Sequence, residues 1–335
     1  MKKIMNDPQK FVDDVISGVL TYDTNLVAVG GDRRLLVHRQ AIKQGRVSII
    51  TGGGSGHLPL FLGYVAPGLC SGVAIGNVFS SPSASQIHEL TKAVDGGEGV
   101  LYLFGNYGGD VLNFGMATNM SESDSIRVET VVCADDVMSA PAERSDDRRG
   151  IAGMALVYKC TGAAASNGAS LQEVAAVARR ANAAVRTAGV GLSPAVLPTT
   201  GNASFALDEG EMEIGIGIHG EPGVERSELK TAAEIAVRLL MPILEELHFQ
   251  PGDEVAMLIN GLGATPQEEL HILSSEAQRV LEPLGVSVTH LYVGEYVTSL
   301  EMAGASISVM KLTYELGELL SAPSDSRFVS FGGDR

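Results

Sequence analysis

The chain has 335 residues, a formal net charge of −16, 45% hydrophobic residues and 19% charged residues. That length allows roughly two domains, each with its own core. The negative charge opposes partnership with nucleic acid or an anionic membrane surface, and the absence of tryptophan with few other aromatics weakens any case for base stacking. Cys70, Cys133 and Cys160 have no short pairing spacing and lie in apolar stretches, so buried free thiols are expected. Met1-Lys2-Lys3-Ile4-Met5 runs into Asn6-Asp7-Pro8, not into the apolar core of a signal peptide, and no apolar run of about 18 residues suggests a membrane span. A cytoplasmic location is expected.

Asp7-Pro8 reads as a helix start, with Phe11, Val12, Val15, Ile16 and Val19 on one face. Residues 46–50 form a strand that ends in Thr51-Gly52-Gly53-Gly54-Ser55-Gly56-His57. This matches neither a Walker loop nor the dinucleotide fingerprint. Four glycines exceed what a plain turn needs, so the stretch reads as a ligand-contacting loop. Ser81-Pro82 opens a helix carrying Ile87, Leu90 and Val94. A strand over residues 99–104 gives way, at Gly105-Asn106-Tyr107-Gly108-Gly109-Asp110, to another helix. Asp110 is either that helix's cap or a carboxylate at the carboxyl end of a strand, where open α/β sheets bind ligands.

Residues 129–133 form a strand followed by Asp135-Asp136, which reads as a polar loop because no further metal ligands accompany the pair. Ser170-x-x-Glu173 is a capping box opening a helix to about residue 188. Glycines and prolines from Gly189 to Asn202 suggest a domain boundary, dividing the chain into residues 1–188 and 189–335. Helices at about 227–247 and after Pro266, with strands at 254–259, 286–293 and 307–312, complete an α/β pattern of two domains, each a mixed β-sheet with flanking helices.

The stretch Glu213-Ile214-Gly215-Ile216-Gly217-Ile218-His219-Gly220-Glu221-Pro222-Gly223 alternates isoleucine with polar residues or glycine, which predicts a strand ending in His219. Glycine weakens a strand unless something approaches its backbone, so the face presenting His219 is emptied of side chains, and His219 is either a solvated histidine at a strand end or a residue facing a ligand. His57, Asp110 and His219 therefore stand out as a nucleophile or base with two acid–base partners. The remaining histidines (His38, His88, His248, His271 and His290) read as structural or exposed. No Gly-x-Ser-x-Gly elbow in strand–helix context and no zincin motif is present.

These motifs resemble, in order and over nearly the whole chain, those of the dihydroxyacetone kinase K subunits. They are Gly52-Gly53-Gly54-Ser55-Gly56-His57, Asp95-Gly96-Gly97-Glu98-Gly99-Val100, Asn106-Tyr107-x-Gly109-Asp110, Arg148-Arg149-Gly150, residues 217–223, Leu262-Gly263-Ala264-Thr265-Pro266 and Thr298-Ser299-Leu300. The resemblance implies a subunit that binds a short-chain ketose covalently, as a hemiaminal on His219, and presents its hydroxyl for phosphorylation. His57 and Asp110 would hydrogen-bond the sugar and act as acid and base; Gly54, Ser55, Gly56 and Gly105 would lie against it. No cofactor or metal is implied on this chain. ADP or ATP with magnesium would belong to a separate nucleotide-bearing L subunit, fed by free ATP or by a phosphotransferase-system relay. A homodimer is expected.

Two departures bear on the substrate. The family usually has glutamate where this chain has Leu58. It usually has lysine and threonine where this chain has Gly105 and Gly108. Loss of the lysine suggests a roomier site suited to a four-carbon ketose such as erythrulose. A ketose-sensing transcriptional coregulator is the alternative from a different class.

Overall fold

The computed structural model describes residues 2–331 except residues 41 and 43. The outer ends of the two expected domains, Met1 and residues 332–335, lie outside the described residues. The first sheet contains β1 (Leu26–Val29), β2 (Asp32–His38), β3 (Ser48–Ser55), β4 (Gly72–Val78), β5 (Val100–Gly105) and β6 (Val128–Cys133), in the spatial order β1-β2-β4-β3-β5-β6. β3 lies between β4 and β5 and runs parallel to both, and β6 continues the parallel half. The carboxyl ends of these central strands thus open on one edge, as in other parallel sheets that bind ligands there. β1 and β2 extend the sheet antiparallel.

Five helices accompany this sheet: α1 (Phe11–Tyr22), α2 (Ala84–Val94), α3 (Gly108–Ser123), α4 (Met154–Ser166) and α5 (Leu171–Ala184). Ser83 and Gln86 form a reciprocal capping box at the start of α2, and Ser170 and Glu173 form one at the start of α5. The second sheet contains β7 (Val185–Ser193), β8 (Glu211–Ile214), β9 (Glu225–Glu228), β10 (Glu254–Gly261), β11 (Ser287–Gly294) and β12 (Ala303–Lys311), in the order β11-β10-β12-β7-β8-β9. Only β10 and β11 are parallel; the other pairs are antiparallel. α6 (Ala232–Leu247), α7 (Gln267–Leu281) and α8 (Tyr314–Ser321) flank it. The architecture is α/β with two mixed sheets, as the alternation of elements predicts.

The chain passes from one sheet to the other at Val185, where α5 gives way to β7. The division expected after residue 188 therefore falls inside a strand. The helix expected from residue 227 starts at Ala232, behind a Thr231–Glu234 capping box, because residues 225–228 pair with β8 instead.

α4 is absent from the sequence reading, although it sits at the centre of the molecule. Every residue from Met154 to Ala165 is buried. A helix covered on all sides needs no polar face, so its sequence carries no 3.6-residue alternation to read. It joins one face of the first sheet, α5, α8 and residues Ala256, Leu258 and Met310 of the second sheet in a single apolar cluster. Two further clusters fill the outer faces, one under α2 and α3 and one under α6 and α7. The three cysteines are free and buried, as expected.

Asp135 and Asp136 are buried, contrary to the polar-loop expectation. Asp135 accepts hydrogen bonds from the backbone of Ile151 (2.9 Å) and Gly153 (2.8 Å), just ahead of α4. Asp136 holds the Arg149 guanidinium, with Nε 2.9 Å from Oδ2. Adjacent carboxylates in sequence look solvated unless their donors are known, and here the donors come from a segment more than ten residues downstream.

Candidate active site

The site forms where the carboxyl edge of the first sheet meets a loop of the second. His57 follows β3, Phe79 follows β4, and Asp110 lies in the first turn of α3, which follows β5. Residues 295–300 of the second unit pin the glycine-rich loop from the other side. The Leu300 backbone donates to the Gly56 carbonyl (2.7 Å), and the Thr298 hydroxyl donates to the Leu58 carbonyl (3.0 Å).

Gly52, Gly53 and Gly54 belong to β3 and Gly56 follows it, and the hydrogens of all four face the chain itself. A Cβ on Gly53 would stand 2.3 Å from the Phe61 ring, one on Gly54 would stand 2.5 Å from the Ser80 nitrogen, and one on Gly56 would stand 2.7 Å from the Phe79 ring. The loop is thus glycine-rich for close packing of its own neighbours, not to leave an empty cradle. Gly54→Ala is expected to cost about 1–3 kcal/mol or more by overpacking, because backbone cannot yield as a side chain can. A lowered midpoint in urea denaturation with an unchanged slope checks it.

The strand predicted to end in His219 stops early. β8 ends at Ile214, and Gly215, at φ +80°, turns the chain out of the sheet. Ile214, Ile216 and Ile218 are all buried, so the alternation reports burial within a loop, not a strand. The two glycines also have a different reason from the expected one. A Cβ on Gly215 would meet Met138 at 2.9 Å, and one on Gly217 would meet Glu221 Oε2 at 2.0 Å. Gly217 makes room for the Glu221 carboxylate and not for a ligand. Arg149 fixes this loop by donating from Nη2 to the Gly215 carbonyl at 2.8 Å.

His57 and His219 face each other, with their Nε2 atoms 3.1 Å apart. The far side of each ring is held. His57 Nδ1 donates to the Thr298 carbonyl at 2.7 Å. His219 Nδ1 lies 2.8 Å from Glu221 Oε1, and Glu221 Oε2 accepts from the His219 backbone at 3.0 Å. Phe79 stacks on His57 with ring centroids 5.0 Å apart, and Tyr107 meets the His219 ring edge-on at 4.7 Å. Phe79 holds this position at φ +55°, a left-handed backbone unusual for an aromatic residue.

Burial pushes the His57 pKa down to about 3, and the neighbouring charge of His219 adds to the effect. Burial raises Asp110 to about 6, against the Ser81 hydroxyl and the charge of His219, which both lower it. Burial also acts to raise Glu221, but its hydrogen bond to His219 and the charge there overcome this and hold it at about 2. Asp110 is not a helix cap: α3 begins at Gly108 with Tyr107 as its N-cap, and Asp110 Oδ1 is buried without a hydrogen-bond partner. The Tyr107 hydroxyl is likewise buried and unpartnered. An unfilled acceptor and an unfilled hydroxyl beside two imidazoles make a site suited to a small polyhydroxylated molecule.

A Dak1 domain model matches residues 17–328. The chain belongs to the Dak1 domain family. Within that family, it is 41% identical over 329 residues to the dihydroxyacetone-binding subunit DhaK of PTS-dependent dihydroxyacetone kinase 2 of Listeria innocua, covering 98% of this chain and 99% of that protein. It is 42% identical over 326 residues to a D-erythrulose kinase of Mycolicibacterium smegmatis, covering 97% of this chain and 56% of that protein. The fold matches the dihydroxyacetone kinase of C. freundii with a TM-score of 0.89 at 30% identity, over 100% of this chain and 61% of that one. It also matches the dihydroxyacetone kinase operon co-activator DhaQ with a TM-score of 0.87 at 30% identity, over 93% of this chain and 96% of that one.

Within this Dak1 domain, His57 and His219 are in contact, and Asp110 lies close enough to feel the charge of His219. Gly105 does not provide the room expected of it. A Cβ there would meet Met154 Sδ at 3.1 Å, Tyr107 Cε2 at 3.2 Å and the Gly150 carbonyl at 3.3 Å, so neighbours already fill the space a side chain would enter. Gly108 opens on free space, but it is exposed. Of the other histidines, His38 is buried at the end of β2, His88 pairs with Asp124, His248 caps α6, His271 lies on α7 and His290 contacts Ser321. Glu221, Phe79, Tyr107 and Thr298 were not singled out from sequence as site residues. For Glu221 a signal existed: an acid two residues beyond a candidate histidine in a glycine-rich turn. Among the described residues, no group of three or more histidine, cysteine or acidic side chains could hold a metal, and no helix is long and apolar enough to cross a membrane.

Proposed function

We propose that this Dak1 domain is the ketose-binding subunit of a dihydroxyacetone kinase. It holds dihydroxyacetone as a hemiaminal on His219 and presents a hydroxyl for phosphorylation by a nucleotide-bearing L subunit. The observation that carries this reading is the His57–His219 contact, Nε2 to Nε2 at 3.1 Å, beside the unfilled Asp110 Oδ1. A carbonyl carbon entering between the rings meets a nitrogen nucleophile on one side and a proton carrier on the other. His57 and Asp110 serve as acid and base, with Asp110 taking the proton of the reacting hydroxyl. Ser55 and the backbone of Gly54 and Gly56 bound the ligand, and Gly105 positions Tyr107. ADP or ATP with magnesium belongs to the partner, which supplies the phosphoryl group. The subunit acts in the cytoplasm as a homodimer.

The relatives named for dihydroxyacetone and for D-erythrulose match at nearly equal identity. The filled space at Gly105 removes the structural reason for preferring the longer ketose. Mixing the protein with an L subunit and a phosphoryl donor is expected to yield ketose phosphate, with kcat/KM for dihydroxyacetone at least equal to that for erythrulose. Failure with every L subunit tried, alongside ketose-dependent binding to a transcription regulator, would instead favour the coregulator role that the DhaQ likeness raises.

A further inference from the structure

The hydrogen bonds around the two imidazoles count protons. His57 Nδ1 faces a carbonyl, which can only accept, so it carries hydrogen. His219 Nδ1 faces the Glu221 carboxylate, held ionised, so it carries hydrogen too. Two neutral rings would then point lone pairs at each other across 3.1 Å. A third proton between the Nε2 atoms turns that repulsion into a charge-assisted hydrogen bond.

We infer that Glu221 fixes His219 as the Nδ1–H form, making Nε2 the nucleophile, and that the third proton of the pair is the one delivered to the ketose oxygen. This rests on the proposed function for the ketose step, but the proton placement is a property of the ligand-free site. The groups facing the pair are Glu221, Asp110, Tyr107 and, beyond Glu221 Oε2 at 3.9 Å, Arg149. A carboxylate lies against the His219 ring at 2.8 Å and a neutral carbonyl against His57 at 2.7 Å, so the third proton sits on His219 Nε2 and is donated to His57.

When the ketose enters, that proton passes to His57 Nε2 and frees the His219 lone pair. The lone pair bonds to the carbonyl carbon, the π electrons move to oxygen, and oxygen takes the proton from His57. The adduct is a hydroxyl-bearing carbon on His219 Nε2. His219, still carrying Nδ1–H, is an imidazolium facing Glu221, and His57 is neutral again. No atom is lost, and the charge of the site is unchanged. Glu221 acts through His219 and is a positioning residue.

The test is nitrogen NMR of the full-length protein with ring-labelled histidine, assigned with H57A and H219A. Ligand-free wild type is expected to show hydrogen on Nδ1 of both rings. In Glu221→Ala the remaining ring hydrogen of His219 moves to Nε2. The fraction of protein carrying carbon-13-labelled dihydroxyacetone then falls by about tenfold or more, the equivalent of one charge-assisted hydrogen bond. Glu221→Gln, whose one oxygen can serve only one of the two donors, gives an intermediate loss. An unprotonated His219 Nδ1 in wild type, or an unchanged Nδ1–H in Glu221→Ala, overturns the assignment. The wild-type spectrum alone decides the first point should the alanine variant not fold. Protonated Nδ1 atoms in a protein that forms no ketose adduct would sink the functional reading while leaving the tautomer assignment standing.

Discussion

His219→Ala is expected to abolish the ketose adduct outright. Native mass spectrometry of the wild-type protein with dihydroxyacetone should show a gain of one intact ketose per chain, because carbonyl addition expels no water. The alanine variant should show none. Phosphorylation with the L subunit should fall by roughly 10²-fold or more, since a ketose held only by hydrogen bonds strays from its productive position. His57→Ala removes the proton carrier and not the nucleophile. It should slow turnover by about 10²–10⁴-fold while retaining a detectable adduct. The reverse pattern, with adduct lost in His57→Ala and kept in His219→Ala, would exchange the two roles.

Asp110→Asn is expected to lose activity and gain stability together. The fold raises the Asp110 carboxyl from 3.8 to about 6, chiefly by burial. The protonated form is therefore the one the folded protein favours. The associated stability is fully present below the ordinary pKa of 3.8 and is lost as pH rises through about 6. Near pH 7 the ionised carboxylate carries a penalty of about 2–3 kcal/mol, and asparagine does not. Urea denaturation should thus find Asp110→Asn more stable than wild type at pH 7 and similar to it below pH 4. Activity moves the other way. With Asp110 as base, wild-type kcat/KM should fall as pH drops through about 6, the pKa set by burial. The variant should lack this limb and run about 10²–10⁴-fold slower. Equal stability of the two proteins at pH 7 would contradict the buried, destabilised carboxylate.

Much of the site was legible because its three principal residues sit beside glycines at chain reversals. His57 and Asp110 lie at the carboxyl ends of β3 and β5, as the strand and turn signals implied. At His219 the sequence pattern and the structure differ. Alternating isoleucines suggested a strand, yet β8 ends at Ile214, and the later isoleucines are buried from a loop. Period two reports which side chains point inward, and a loop wedged between two cores can show it as well as a strand. The glycines misled similarly. Their scarcity of side chain was attributed to a ligand, whereas Phe61, Phe79, Ser80 and Glu221 occupy the space.

What sequence could not supply was long-range pairing. Thr298 holds His57 from 241 positions away, and Arg149 braces the His219 loop from 66 positions away. α4 escaped because its uniform burial erases any periodic pattern. The motif Thr298-Ser299-Leu300 stands out in the sequence, but only the fold shows that the Leu300 backbone and the Thr298 hydroxyl clamp the glycine-rich loop.

A crystal of the protein grown with dihydroxyacetone tests the central claim most directly. Continuous electron density from His219 Nε2 to a tetrahedral ketose carbon is the predicted result, with the new hydroxyl toward His57 and a second hydroxyl toward Asp110 Oδ1. A planar ketone at van der Waals distance from both imidazoles, or a bond to Nδ1 in place of Nε2, would contradict it.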